Sequence, residues 1–247
     1  MLPRFHFDMT ESTMQKASRL WRGADSSIQG LVVTAARQSA GRGRHGAWQS
    51  PSGGLWMTVA HAIDAARRDP GIYSLASALA AAEGIELACG AHCEIKWPND
   101  LLLGGAKVGG ILVTIERGDR PALLTGIGIN ANFSSAVLGE DLRRPATTLS
   151  DFLGRDVDLG AVRDRIVEQL ETRFAQIARG DAEALLDAFR DRLAWHGEMV
   201  ECIETANGET ISGVLDGVDA EGRLLLKTES GTTARTTGEL FQLSRRA

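Results

Sequence analysis

Between residues 94 and 130 the sequence places four β-type segments too close together for helices to separate them. They span roughly residues 94–97, 101–103, 107–116 and 122–130. Gly104-Gly105 joins the second to the third, a two-residue turn of the hairpin kind. Antiparallel pairing is thus built into the middle of the chain. Around it, strands and helices alternate. Residues 12–21 carry Met14, Ala17 and Trp21 on one side of a short helix, and LVVTA from Leu31 reads as a buried strand. Residues 38–54 form a glycine-rich loop, 55–63 a strand, and 74–88 a helix with Leu75, Leu79, Ala82 and Ile85 along one face. Residues 158–178 repeat Leu159, Val162, Ile166, Leu170, Phe174 and Ile177 at helical spacing. Gly180-Asp181 ends that helix, and a second runs to about Leu193.

From Gly197 the texture changes. Short strands near 199–203, 210–215, 224–228 and 232–236 are punctuated by Asn207-Gly208, Asp216-Gly217, Glu221-Gly222 and Ser230-Gly231. That pattern predicts a small antiparallel barrel. The expected organisation is α+β, with a mixed-sheet domain over 1–196 and a small β domain over 197–247.

Composition narrows the function. The formal net charge of -5 argues against a chain devoted to gripping nucleic acid. No run of 18 or more apolar residues suggests a membrane span. MLPRFHFDMT lacks the apolar stretch of a secretory signal, and three cysteines without a paired framework suit a reducing cytoplasm. Cys89, His92 and Cys93 lie close enough in sequence to suggest zinc, but a fourth ligand would have to come from elsewhere. Of 27 basic residues only Lys16, Lys96, Lys107 and Lys227 are lysine.

Gly41-Arg42-Gly43-Arg44-His45-Gly46 fits the letters GxGxxG. A dinucleotide turn must open a helix, and AWQSPSGG cannot. No HRD or DFG accompanies it, so a kinase loop fails too. What remains is a mobile backbone carrying two planar guanidinium forks suited to phosphate or carboxylate. A solvated basic loop is the equal alternative.

KWPNDLLLGGAKVGGILV, from Lys96 to Val113, sets two of the scarce lysines near one end of adjoining strands. Asn99 and Asp100 sit at the turn between them, where they can meet a ligand or merely cap the turn. In LLTGIGINAN, Gly126, Gly128 and Asn130 share one face of a strand. Either something flat lies on that bare backbone or a helix packs closely there.

Together GRGRHGAWQSP, KWPNDLLLGGAKVGGIL and GIGINAN, in that order, resemble the biotin–protein ligases. The tail strings GVDAEGRLLL and GELFQL resemble that family's SH3-like C-terminal domain. The resemblance implies a mixed-sheet catalytic domain that converts biotin and ATP, with Mg²⁺, to biotinyl-5′-AMP and pyrophosphate. The biotin then passes to a lysine of a biotin carboxyl carrier protein. By motif, Ser12 and Thr13 match the biotin-contacting pair, and Gln38, Gly41, Arg42 and Arg44 the biotin and adenylate loop. Trp48 matches the tryptophan near adenine, and Lys107 the lysine at the activated carboxylate and phosphate. Gly110, Leu112, Gly126 and Gly128 match the biotin wall, while Lys96, Asn99 and Asn130 fall on the ATP side. Asp100 is implied to position Mg²⁺ or the incoming lysine. Arg42, Arg44, Lys107 and Asp100 are the catalytic set.

Met14 departs from the family's usual asparagine, and Ala47 from its usual basic residue. The resemblance further implies no DNA partner, since only eleven residues precede Ser12, and a homodimer as one assembly; the missing apolar run and the unpaired cysteines set the expectation of a cytoplasmic protein with no membrane partner. The alternatives are a lipoate or octanoate ligase of the same fold and a non-catalytic binding module.

Overall fold

The structure is a computed structural model that describes residues 2–44, 46–63, 71–139, 145–205 and 208–243. In chain order the first part contains strand β1 (Arg4–Thr10), helix α1 (Thr13–Arg22), β2 (Gly30–Gln38), the short β3 (Arg42–Gly43) and β4 (Gly46–Ala47), and β5 (Leu55–Ala62). Helix α2 (Gly71–Cys89), β6 (Glu94–Lys96), β7 (Asp100–Leu103), β8 (Ala106–Glu116) and β9 (Ala122–Ile129) follow. Then come α3 (Leu149–Leu153), α4 (Leu159–Arg179) and α5 (Ala182–Arg190). The last part is β10 (Met199–Ile203), β11 (Thr210–Val218), β12 (Leu224–Thr228), β13 (Gly231–Arg235) and β14 (Glu239–Gln242).

Seven strands form one mixed sheet in the order β1-β2-β5-β9-β8-β7-β6. The mid-chain hairpins pair antiparallel, with Gly110 opposite Gly128 and Leu112 opposite Gly126. Only β1 is parallel, placed beside β2 by the crossover through α1. β1 and α3 are elements the sequence reading did not assign.

One sheet face is covered by α2 and α4. Leu55, Met57, Val59, Ile127 and Ile129 bury there with Leu79, Ile85, Ile166 and Leu170. α2 and α4 cross closely at Gly84, where a Cβ would stand 2.6 Å from the Ile166 backbone nitrogen. α2 is apolar over most of its surface, its two carboxylates, Glu83 and Glu86, being paired with Arg173 and Arg192, and at 19 residues it is long and apolar enough to cross a membrane by length and composition. It is not an unbroken apolar run, since Ser74, Ser77, Glu83 and Glu86 interrupt it. Here protein surrounds it: sheet on one side, α4 on the other.

On the opposite face α1 sets Ala17 and Trp21 on Leu31, Val33, Ala60 and Leu124. With only 10 residues it covers part of that face. The remainder, towards Gly126 and Gly128, is left for a cavity.

The final five strands form an antiparallel sheet ordered β13-β12-β11-β10-β14. The barrel expected from sequence thus has its antiparallel wall, with no ladder between β13 and β14 among the described residues. β14 lies in the GELFQL string and was not assigned as a strand from sequence. Its inner face, with Val200, Leu215, Leu226 and Leu240, continues the main core. The indole of Trp97 donates to Gly222 O at 3.1 Å, and Arg190 Nη2 to Val218 O at 2.7 Å. His45 of the GRGRHG loop and Asn207 of one predicted turn lie outside the described residues.

Candidate active site

The uncovered sheet face floors a cavity of about 430 Å³. Every residue named from sequence as a site residue lines it except Gly41. Gly41 stands just behind: its carbonyl accepts from Trp48 N at 2.9 Å, and a Cβ there would strike Trp48 O at 2.6 Å. The glycine is needed for that close approach.

One end is polar and uncharged. Ser12 caps α1 in extended conformation without spending its hydroxyl on the helix, so the side chain faces the cavity. Thr13 donates to Gln38 Oε1 twice, from its backbone nitrogen at 2.8 Å and its hydroxyl at 3.1 Å. The Thr58 hydroxyl donates to Thr13 Oγ1 at 2.9 Å, and Gln38 Nε2 donates to Ser50 Oγ at 2.8 Å. The end of β2 is held in place by Ser39 N and Ala40 N, which donate to Thr10 O and Glu11 O. The result is a fixed array of neutral donors and acceptors. Thr58, a hydroxyl inside the otherwise apolar strand LWMTVA, joins it though it was not singled out from sequence.

The other end is cationic. The turn after β6 contains a cis Trp97–Pro98 peptide, and β7 begins at Asp100. Asp100 accepts Lys96 Nζ on Oδ2 at 2.9 Å and Lys107 Nζ on Oδ1 at 2.6 Å. The side chains of Lys96 and Asp100 are only 5% and 13% exposed, against 29% for Lys107. Lys96 is thus locked in, while Lys107 keeps a face to the cavity. The two lysines that composition left unexplained differ in kind from Lys16, set over the Phe7 ring, and Lys227, paired with Asp216.

Asn99 donates through Nδ2 to Ile111 O at 2.7 Å, which leaves its Oδ1 to accept Arg44 Nη1 at 3.2 Å. That contact joins the glycine-arginine loop to the lysine turn. Burial pushes the Arg44 guanidinium's pKa down, and Asp100 and Glu239 oppose the shift. Arg42 is exposed at the mouth. Asn130 commits its Nδ2 to Thr147 O at 3.1 Å, so it holds the wall at residues 145–149 in place.

Gly128 and Gly110 do carry something flat, and it is part of the chain. Trp48 lies on them: a Cβ on Gly128 would meet the indole at 2.8 Å, and one on Gly110 at 3.4 Å. Lys107 Nζ stands 5.2 Å over the same ring. The buried indole nitrogen has no hydrogen-bond partner among the described residues. Over Gly126 the covering group is Met14, from α1. Both readings of the glycine stripe therefore hold in part, an aromatic ring at one glycine and a helical side chain at the other.

The far wall comes from the second sheet. Gly238, Glu239 and Leu240 reach the cavity at the start of β14. Sequence reading missed them, although GELFQL was the signal. At the cysteines there is no metal centre: no group of three His, Cys, Asp or Glu among the described residues could hold a metal. Cys89 donates to Ile85 O, His92 pairs with Glu86, and burial pushes the Cys93 thiol up to about 12.

Comparison with known proteins agrees with this geometry. Residues 6–132 match the biotin/lipoate A/B protein ligase family, and residues 196–241 match the biotin protein ligase C terminal domain. The biotin–[acetyl-CoA-carboxylase] ligase of Paracoccus denitrificans is 32% identical over 239 residues, covering 94% of this chain and 97% of that one. The bifunctional ligase/repressor BirA of Bacillus spizizenii is 32% identical over 232 residues, covering 91% and 69% respectively. The biotin protein ligase of Aquifex aeolicus, solved in complex with biotin and ATP, superposes with a TM-score of 0.83 at 25% identity, covering 98% of this chain and all of that one.

Proposed function

The chain belongs to the biotin/lipoate A/B protein ligase family, and from that premise we propose that it activates biotin with ATP and transfers it to a lysine of a biotin carboxyl carrier protein. The observation that carries this reading is the division of one cavity into a neutral hydrogen-bonding end and a cationic end. Biotin has the same division, with an uncharged urea-bearing bicycle at one end and a carboxylate at the other. Ser12, Thr13 and Gln38 suit the bicycle. Lys107 and Arg44 suit the carboxylate and the α-phosphate it must meet.

In the first step a biotin carboxylate oxygen attacks the α-phosphorus of ATP. A new P–O bond forms, the bond to the β-phosphate oxygen breaks, and pyrophosphate leaves with that electron pair. The obstacle is the approach of two anions. Lys107 is held by Asp100 before the reaction begins, and Arg44 joins it from the glycine-arginine loop through Asn99, so the two cations together offset the developing charge. In the second step the neutral amine of the carrier lysine attacks the acyl carbon. The C–O bond to AMP breaks, and the amine's proton is lost as the amide forms. No enzyme nucleophile is required.

Mg²⁺ was expected at Asp100. The residues do not fit that role, because both carboxylate oxygens are already taken by lysine ammonium groups. Lys107 and Arg44 would meet the phosphate charge from the protein's side, and Mg²⁺ would be supplied with ATP. Asp100 is the pivot that holds Lys107 towards the reacting phosphate. We place the catalytic unit at 1–196 and the appended unit at 197–247. The appended unit closes the cavity through Glu239.

The rival within the family is a lipoate or octanoate ligase. Those acids carry no urea to meet the Ser12 hydroxyl and the Gln38 amide that face the cavity. Pyrophosphate release measured with ATP and either biotin or lipoate decides between them. Release with biotin alone is expected, and release with lipoate alone would move the chain to the other branch.

A further inference from the structure

We infer that Met14 is the specificity-determining residue for the ring end of the cavity: its thioether is the stop against which the apolar edge of the substrate's bicycle rests. The inference builds on the biotin reading above and goes beyond it.

The placement follows from two anchors. On that reading the acid's carboxylate belongs at Lys107 and Arg44, and Lys107 lies beside Gly110, which pairs with Gly128. Gly126 lies two residues further along β9, roughly 7 Å away by strand geometry. It sits opposite Thr58, which bonds Thr13. The ring must therefore reach the Gly126 end, and there it meets Met14.

Met14 is the second residue of α1, directly after the Ser12-Thr13 pair. Its terminal methyl lies 2.7 Å from where a Gly126 Cβ would stand, so it fills the volume that a side chain there would occupy. The Thr114 hydroxyl is directed at its sulfur from 3.6 Å. The backbone beneath it cannot retreat, because Ala17 and Trp21 root α1 in the second core. Trp48 differs: it comes from the glycine-rich loop and not from a helix rooted in a core. Met14 therefore remains as a wall when a ligand enters, while its unbranched side chain adjusts to the ring. An apolar wall suits a ring thioether. Met14 itself offers no donor to a ring sulfone, and the nearby Thr114 hydroxyl is directed at its sulfur, so oxidised rings bind less well than the thioether.

The test is biotin-dependent ATP–pyrophosphate exchange by the full chain, run with biotin and with biotin sulfone. For Met14→Ala the expected result is a KM for biotin raised about 5- to 10-fold with kcat within about two-fold, the signature of lost uniform binding. For Met14→Asn, which supplies an amide donor, the sulfone-to-biotin ratio of kcat/KM should rise at least about ten-fold. Met14→Leu should keep the wild-type ratio. Gly126→Ala should push the Met14 methyl into the ring space and raise KM. Adding Met14→Ala to Gly126→Ala should return KM towards wild type, because one methyl then replaces the other.

An unchanged sulfone-to-biotin ratio in Met14→Asn overturns the inference, and so do Gly126→Ala and Met14→Ala penalties that simply multiply. Wild-type protein that shows no exchange with biotin is a different result, since it overturns the function on which the inference is built.

Discussion

At the scale of single residues, the site depends on one carboxylate doing two jobs. Asp100 neutralises Lys96 in a nearly closed environment and aims Lys107 at the cavity. Breaking a buried ion pair from one side leaves the remaining charge without compensation. Asp100→Asn should therefore cost about 3–5 kcal/mol of stability, read as a lower urea midpoint. A variant as stable as wild type would mean that Asp100 does not hold the lysines.

His61 makes a second prediction at this scale. Its two ring nitrogens are buried without hydrogen-bond partners among the described residues, and its ring packs edge-on against Phe174 at 5.0 Å between centroids. Burial pushes its pKa down to about 4 from 6.5. Because the folded pKa lies below the unfolded one, the unfolded chain takes up a proton that the folded chain refuses. The stability it contributes is present above pH 6.5 and is lost as pH falls towards 4, by up to about 1.4 kcal/mol per pH unit. His61→Phe should remove that part of the slope in urea titrations between pH 7 and 5. An identical slope in the two proteins would rule it out.

At the scale of elements, the loop over residues 38–54 is the part whose role depends on closure. In this structure it holds Trp48 on Gly128 and joins Arg44 to Asn99. An acyl adenylate survives only where water is kept out. Arg44→Gly removes the link to the lysine turn and should release biotinyl-AMP, seen as biotin on bystander proteins. Retention as tight as in wild type would show that the loop is not the barrier.

The elements also show what the sequence made legible. The 94–130 hairpins, α2 and α4 were plain because their patterns are local, and so was the lysine turn. β1 had its own period-two pattern, with Phe5, Phe7 and Met9 alternating with His6 and Asp8. Its parallel pairing with β2 is decided across α1, and no local pattern records that. Likewise GRGRHGAWQSP announces an anion loop, but that Trp48 settles on Gly128 depends on two segments some eighty residues apart. Glu239 was hidden for the same reason: its place in the cavity is set by how the second sheet docks. The carboxylate-to-lysine geometry was hidden too, since Asp100 in a turn reads equally well as a cap until Lys96 and Lys107 are seen on its two oxygens.

At the scale of the whole molecule, the two sheets share one apolar interior, in which Val200, Leu215 and Leu240 are continuous with Leu79 and Ile129. The Trp97–Gly222 and Arg190–Val218 hydrogen bonds cross the same junction. A chain built this way should unfold as one cooperative unit, giving a single calorimetric transition whose calorimetric and van't Hoff enthalpies agree. Two resolved transitions would show that the C-terminal sheet is an independent body, and its wall at Glu239 would then be an occasional contact.

The central claim is that the cationic end of this one cavity joins biotin's carboxylate to the α-phosphate of ATP. Biotin-dependent exchange of labelled pyrophosphate into ATP, run on the wild type and on Lys107→Ala, tests it most directly. Exchange should require biotin, with kcat lowered about 10²- to 10³-fold in the variant, the usual cost of removing one preorganised charge-stabilising donor. Absence of biotin-dependent exchange in the wild type, or a Lys107→Ala variant as fast as the wild type, would contradict it.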